Sequence, residues 1–293
     1  MGDYHLHLHP HGPTERGDPA PSVYPPGHIE AFVEAASARG VTELGFTEHL
    51  YRCVESADVL GLFWEQESRA DLAEQARRFV ESDRNLSLAA YVDVVAAAKD
   101  RGLPVLLGLE VDFLADSIDA VVRLLEPYPW DFLIGAVHWL GGWSVDHGEV
   151  AYEFERRGVR TAYEEYFELE TALAASGTVD VLAHVDVVKK FGHRPGQEPI
   201  DLYEKVVRAA AASGTAVEVS SAGLSKPVAE VYPAPAFLRM FRDADVPITL
   251  ASDAHRPHEA GWGHDEVVRA ARAAGYTHRL RFHARQRETV PLH

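Results

Sequence analysis

Asp3-Tyr4-His5-Leu6-His7-Leu8-His9 opens the chain with polar and apolar side chains in alternation. Successive side chains of a β-strand point to opposite faces. The pattern therefore places Asp3, His5, His7 and His9 on one face and Tyr4, Leu6 and Leu8 on the other. Neutral imidazole is the commonest protein ligand of transition metals, and two histidines at i and i+2 on one face can share an ion. A lone histidine at a strand end is more often a satisfied structural residue. This stretch differs because similar residues recur downstream, each at the end of an apolar run.

Working outward, residues 10–27 are rich in Pro and Gly and read as a loop. Helical periodicity over 28–39 leads to a short strand, Glu43–Thr47, that ends on Glu48-His49. Strand Pro104–Leu109 ends on Glu110, Trp130–Val137 on His138, Val179–Ala183 on His184, and Val246–Ala251 on Ser252-Asp253. Thr215–Ser220 supplies a further strand. Helical patterns at 90–101, 117–126, 161–176, 200–213, 234–244 and 264–274 alternate with these strands. Runs that are apolar on both faces indicate a parallel sheet covered by helices. Seven such units predict an α/β fold, a closed or nearly closed parallel barrel whose His and acidic residues collect at the C-terminal ends of the strands, the active face of such barrels. An open doubly wound sheet is the alternative. GxGxxG is missing from the first loop and GxxxxGK[ST] from the whole chain, so nucleotide-binding folds gain no support. Residues 50–89 interrupt the alternation with mixed charge and are expected to be an insertion of short helices forming a lid. Without an internal linker or repeat, residues 1–293 are expected to form one domain.

Forty-five acidic residues against 28 basic give a formal net charge of −17, a surface that repels nucleic acid and anionic membranes. Cys53 is the only cysteine, so neither an intramolecular disulfide nor a Cys-rich zinc site is available. No apolar run approaches the roughly 18–20 residues of a membrane span. The strand pattern starts at residue 3 with no secretory h-region before it, so a cytoplasmic location is expected. The strand-end residues offer only N and O ligands, a donor set that suits Zn²⁺, Mn²⁺ or Fe²⁺.

The order of these motifs resembles the PHP (polymerase and histidinol phosphatase) superfamily. The matching text is Asp3-Tyr4-His5-Leu6-His7, Thr47-Glu48-His49, Gly108-Leu109-Glu110-Val111-Asp112, Gly135-Ala136-Val137-His138, Ala183-His184-Val185-Asp186 and Ser252-Asp253-Ala254-His255. Closer still is its histidinol-phosphate phosphatase branch, which shares Val188-Lys189-Lys190-Phe191-Gly192-His193-Arg194-Pro195, Ser221-Ala222-Gly223-Leu224-Ser225-Lys226-Pro227 and Glu230-Val231-Tyr232-Pro233.

The resemblance implies a distorted (β/α)7 TIM-like barrel with a metal site at the C-terminal ends of its strands, holding two to three divalent ions. His5, His7, Glu110 and Asp253 would hold the first, and Glu110 would bridge to a second completed by His138 and His184. His49 and His255 would hold a third with one histidine of the first loop, either His11 or His9. Arg157 (or its neighbour Arg156) and Arg194 would grip phosphate, since guanidinium forks match phosphate oxygens. Trp64, Trp139 and Trp143 would wall an imidazole pocket or pack in the core. The implied activity is hydrolysis of a small phosphomonoester, L-histidinol phosphate, with Glu110 bridging the catalytic metals. Asp186 or His193 would supply the leaving-group proton. Another small phosphorylated substrate, an exonuclease activity and a non-catalytic metal-binding barrel are the alternatives.

Overall fold

The computed structural model describes residues 1–11, 16, 18–20 and 23–292 of an α/β protein built on parallel strands. Gly2–Leu6, Glu43–Phe46 and Val105–Leu107 pair in parallel in that order. A second parallel sheet runs Ile248–Ala251, Ala216–Ser220, Val181–Leu182, Ile134–Ala136, Glu110–Asp112. Leu6 bridges Ala254, and His7 N donates to Ala254 O at 2.7 Å, so the first strand also meets the chain just past the last parallel one. His49 bridges Glu110 in the same manner.

Helices His28–Ser37, Leu88–Asp100, Ile118–Leu125, Val159–Ser176, Ile200–Ser213, Pro235–Asp243 and His264–Ala273 lie within two residues of the sequence expectations. Their ends are legible for physical reasons. Ser87 Oγ accepts a hydrogen bond from Ala90 N and caps one helix, and Pro235 occupies a first-turn position where its missing N–H costs nothing. One hydrophobic core runs from Leu6 to Leu292. A smaller cluster joins Tyr4, Phe132 and Phe282 to the inner strand residues Leu106, Ala136 and Val181. Among the described residues no helix is long and apolar enough to cross a membrane.

The strict alternation expected of the opening stretch does not survive. Its register against Glu43–Phe46 shifts between Asp3 and Leu6, as at a β-bulge. Tyr4 consequently packs edge-on against Phe132, whereas Leu6 and Leu8 join the main core. The run expected as Pro104–Leu109 is two short strands parted at Gly108. There Tyr91 Oη donates to the Gly108 carbonyl at 2.8 Å, and a Cβ would come within 2.8 Å of the Phe132 ring. Residues 50–89 hold more than short helices, because Ala70–Asp83 is a 14-residue helix whose Leu72, Ala76 and Val80 enter the core.

An antiparallel hairpin, His278–His283 with Gln286–Pro291, went unforeseen after the last helix. Its two-residue turn, Ala284-Arg285, has both φ angles positive, at 47° and 62°. Turns of that kind are usually announced by Asn-Gly or Asp-Gly. Here tertiary bonds hold it instead, Ala284 N to Asp131 Oδ1 at 3.1 Å and Arg285 N to Asp131 O at 2.9 Å. A second small hairpin, Trp139–Leu140 with Trp143–Ser144, was likewise unforeseen.

Candidate metal centre and cavity

The parallel strands bring their terminal side chains together. His5 Nε2, His7 Nε2, Glu110 Oε2 and Asp253 Oδ1 converge on one point. His5 and His7 are 3.0 Å apart, and His5 lies 3.4 Å from Glu110 and 3.5 Å from Asp253. His7 lies 3.6 Å from Glu110 and 3.3 Å from Asp253. Tetrahedral coordination at roughly 2.0–2.1 Å from N and O donors implies donor–donor edges of about 3.3–3.4 Å. The spacing therefore fits one divalent ion. The other oxygen of Glu110, Oε1, stands 3.0 Å from His184 Nε2 and 3.5 Å from His138 Nε2, as a carboxylate shared between two positions would. A third grouping sets His11 Nε2 3.0 Å from His49 Nε2, with the His255 ring 4.6 Å from that of His11. His7, His49 and His255 also offer ligand atoms within 4.8 Å of one another.

Hydrogen-bond satisfaction points the same way. His184 Nδ1 and His255 Nε2 are buried without a hydrogen-bond partner among the described residues, and Glu110 Oε2 and His49 Nδ1 have only each other, at 2.7 Å. Buried polar atoms are ordinarily satisfied, so a cluster of orphans calls for a missing partner. Electrostatics agrees. Burial alone would lower the pKa of His5, yet the carboxylates of Glu218, Glu110 and Asp253 hold it well above the usual imidazole range. Burial also works against His138, but its bond to Asp112 pushes it up to about 9. Burial would raise Glu110, and His49 and His5 keep it well below the usual carboxylate range. The inner part of the site, which draws protons onto His5 and His138 and strips them from Glu110, draws cations, whereas burial and neighbouring imidazoles push His49 down to about 3 and His255 well below the usual imidazole range.

Carboxylates behind the cluster orient the rings. Glu218 Oε2 lies 2.8 Å from His5 Nδ1, and Asp112 Oδ1 lies 2.9 Å from His138 Nδ1. Glu48 Oε1 stands 3.5 Å from His7 Nδ1, an ion-pair distance rather than a hydrogen bond. Partners of this kind fix which ring nitrogen faces a metal. Asp3, expected on the histidine face, instead ties the first strand to the last by accepting from Ser252 N, Ser252 Oγ and Gly261 N. Two cluster residues carry backbone strain, His184 at φ 24° and Asp253 at φ 57°. Such conformations cost roughly 1–3 kcal/mol each and persist where the surroundings over-determine them.

A cavity of about 520 Å³ opens from the cluster, with His11, His49, His138, His184, Asp253 and His255 in its wall. Its basic residues are Lys190, Lys226 and Arg256, and Tyr232 and Trp262 add aromatic surface. Lys190 Nζ pairs with Asp146 Oδ2 at 3.0 Å, and Arg256 with Asp18 at 3.2 Å. No residue of 50–89 is in this lining.

Several expected site residues lie elsewhere. His9 is not brought into the cluster. Its Nε2 bonds Val23 O at 2.8 Å and its ring packs near Tyr24 and His28, because the regular strand ends at Leu6. Arg157 is held by Glu153 and Glu165 and lies over the Trp143 ring, and Arg156 is bound to Glu153. Arg194 pairs with Glu230 at 2.6 Å. Asp186 is buried between Lys189 and Ala234 N, and the His193 ring stacks on Phe154 at 4.6 Å. None of these lines the cavity, and neither do Trp64, Trp139 and Trp143, all of which are buried. Sequence reasoning missed Glu218, although a lone carboxylate inside the apolar strand Ala216–Ser220 was a signal. Lys226 stood in the quoted motif Ser221–Pro227 with no role attached to it, and Arg256 and Trp262 carried no pattern of their own.

Known proteins resemble this chain at the level of a family model, of sequence relatives and of solved structures. The family model of the PHP domain matches residues 25–222. A protein of Deinococcus radiodurans named "Probable histidinol-phosphatase" is 38% identical over 174 residues, 59% of this chain and 66% of that relative. The match thus spans just under two thirds of the relative's length. The "Histidinol-phosphatase" of Bacillus subtilis is 22% identical over 291 residues, 91% of this chain and 97% of its own. Among solved structures, histidinol phosphate phosphatase from Lactococcus lactis, complexed with Zn, L-histidinol and phosphate, aligns with a TM-score of 0.69. That alignment covers 98% of both chains at 20% identity, a likeness of fold.

Proposed function

This chain belongs to the PHP domain family, and we propose that it is a metal-dependent phosphomonoesterase that hydrolyses L-histidinol phosphate to L-histidinol and phosphate. The observation that carries the reading is the near-tetrahedral convergence of His5, His7, Glu110 and Asp253, of which Asp253 reaches the wall of a cavity that also presents Lys190 and Lys226. The names of the Deinococcus and Bacillus relatives support the substrate. So does the ligand set of the Lactococcus structure, which also supports zinc as one of the metals.

We read the two sheets as one distorted (β/α)7 barrel. Val105–Leu107 and Glu110–Asp112 are then halves of a single strand, and the Leu6–Ala254 bridge closes the ring. The centre sits at the C-terminal ends of those strands. His5, His7, Glu110 and Asp253 take the first metal position, and Glu110, His138 and His184 the second. His11, His49 and His255 take a third. Divalent ions held there would activate water and neutralise phosphoryl oxygens.

The chain's own residues do the rest. Glu218 and Asp112 fix the His5 and His138 rings, so the donors are aligned before a ligand arrives. Lys190 and Lys226 offer ammonium groups to phosphate from the cavity wall. Trp262 and Tyr232 offer flat faces to an imidazole.

Phosphate release with added Zn²⁺ or Mn²⁺ tests the reading. Histidinol phosphate should be hydrolysed with a higher kcat/KM than a simple aryl phosphate. Equal values would remove the histidinol assignment and leave the phosphatase class. No release from any phosphomonoester by metal-loaded protein would remove both.

A further inference from the structure

His11 differs from the other proposed ligands. It lies on a loop with no strand beneath it, and its side chain is 34% exposed. A ligating imidazole needs its second nitrogen anchored, or the ring turns and the tautomer is undefined. The anchor in this molecule comes from the segment 50–89. His11 Nδ1 lies 3.0 Å from Asp83 Oδ2, and Tyr51 Oη donates to the same oxygen at 3.1 Å. Asp83 is the last residue of the core-packed helix Ala70–Asp83, so it is held firmly. On its other side is Arg52, 1% exposed, with Nε 3.7 Å from Asp83 Oδ2. Arg52 Nη1 donates to Glu48 Oε1 at 3.1 Å, and that oxygen faces His7.

We infer that Asp83 is the positioning residue of the third metal position, its carboxylate holding His11 Nδ1–H so that Nε2 faces His49 and His255. The inference rests on the three-position reading above. It also gives residues 50–89 a different task from covering the cavity, because Tyr51, Arg52 and Asp83 brace a ligand from behind. Arg52 links that brace to Glu48, next to a ligand of the first position.

Metal counting separates the inference from the reading beneath it. Wild-type protein, His11→Ala and Asp83→Asn are loaded with Zn²⁺ and titrated with a competing chelator. Wild type should hold three equivalents and His11→Ala two. Asp83→Asn preserves size but not charge, and should bind the third equivalent about 10–100-fold more weakly while the other two stay unchanged. Two equivalents in wild type overturn both the three-position reading and the inference. Three in wild type, two in His11→Ala and an unaltered third affinity in Asp83→Asn overturn the inference alone. A purely structural Asp83 would give that last result with a lowered Tm. Should Asp83→Asn fail to fold, ¹⁵N shifts of His11 in metal-loaded wild type decide instead. Protonated Nδ1 is expected, and protonated Nε2 overturns the inference.

Discussion

The inner cluster and the loop-side cluster are built from the same residue types by different means. His5, His7 and Glu110 are fully buried and stand on or beside strands whose register fixes their spacing. His11, His49 and His255 sit on connections beyond the strand ends, and the ring of His11 is braced by a residue 72 positions away. Donors on a hydrogen-bonded sheet are set by the backbone. Donors on loops are set by whichever distant side chains happen to hold them. His5, His7 and Glu110 are dry, whereas His11 and His255 are 34% and 19% exposed and should be easier to unload.

The comparison breaks most visibly at Glu110. If it serves the inner cluster as a bridge, Glu110→Ala removes a donor from two positions and a negative charge from between them. Metal content should fall by two equivalents and kcat/KM by roughly a thousandfold or more. Retention of metal with near-normal turnover would show that the inner cluster is not the working centre. A smaller effect should follow at Glu218, which only aligns His5. Glu218→Gln should weaken inner metal binding about 10–100-fold without lowering the count at saturating metal. If it leaves every affinity untouched, sheet register alone orients His5.

Chelator titration of wild-type protein sharpens the contrast without mutation. One equivalent should leave well before the others, because the loop-side ligands are more exposed. Simultaneous release would mean that the two clusters behave as one. The least effect belongs to His9. His9→Ala should keep every metal and lose only the bond to Val23 O, about 1 kcal/mol of stability, read as a shift in the urea midpoint. Loss of one equivalent would instead make His9, not His11, the first-loop ligand.

The same division governs what could be read in advance. Apolar runs ending on Glu110, His138, His184 and Asp253 pointed to the parallel strands and the inner cluster together, since both follow from one periodicity, and the run ending on His49 pointed to one member of the loop-side cluster. Helix limits were legible from local capping chemistry such as Ser87 and Pro235. The sequence pattern failed wherever long-range contacts overrode it. Across a register shift between Asp3 and Leu6, Tyr4 and Leu6 join different apolar clusters. Asp131 stabilised a turn that lacks turn residues. Arg194 stood in a matching motif and Arg157 had an implied phosphate role, yet they are paired with Glu230 and with Glu153 and Glu165, outside the cavity lining.

By itself, then, the amino-acid sequence determined which residues end the strands and therefore which donors converge, because strand periodicity and hydrophobic burial are properties of short stretches. Only the tertiary structure decided which of two loop histidines joins them, which carboxylate stands behind each ring and which cations line the cavity. Those choices depend on side chains that meet across tens to hundreds of residues, where no local pattern constrains the partner.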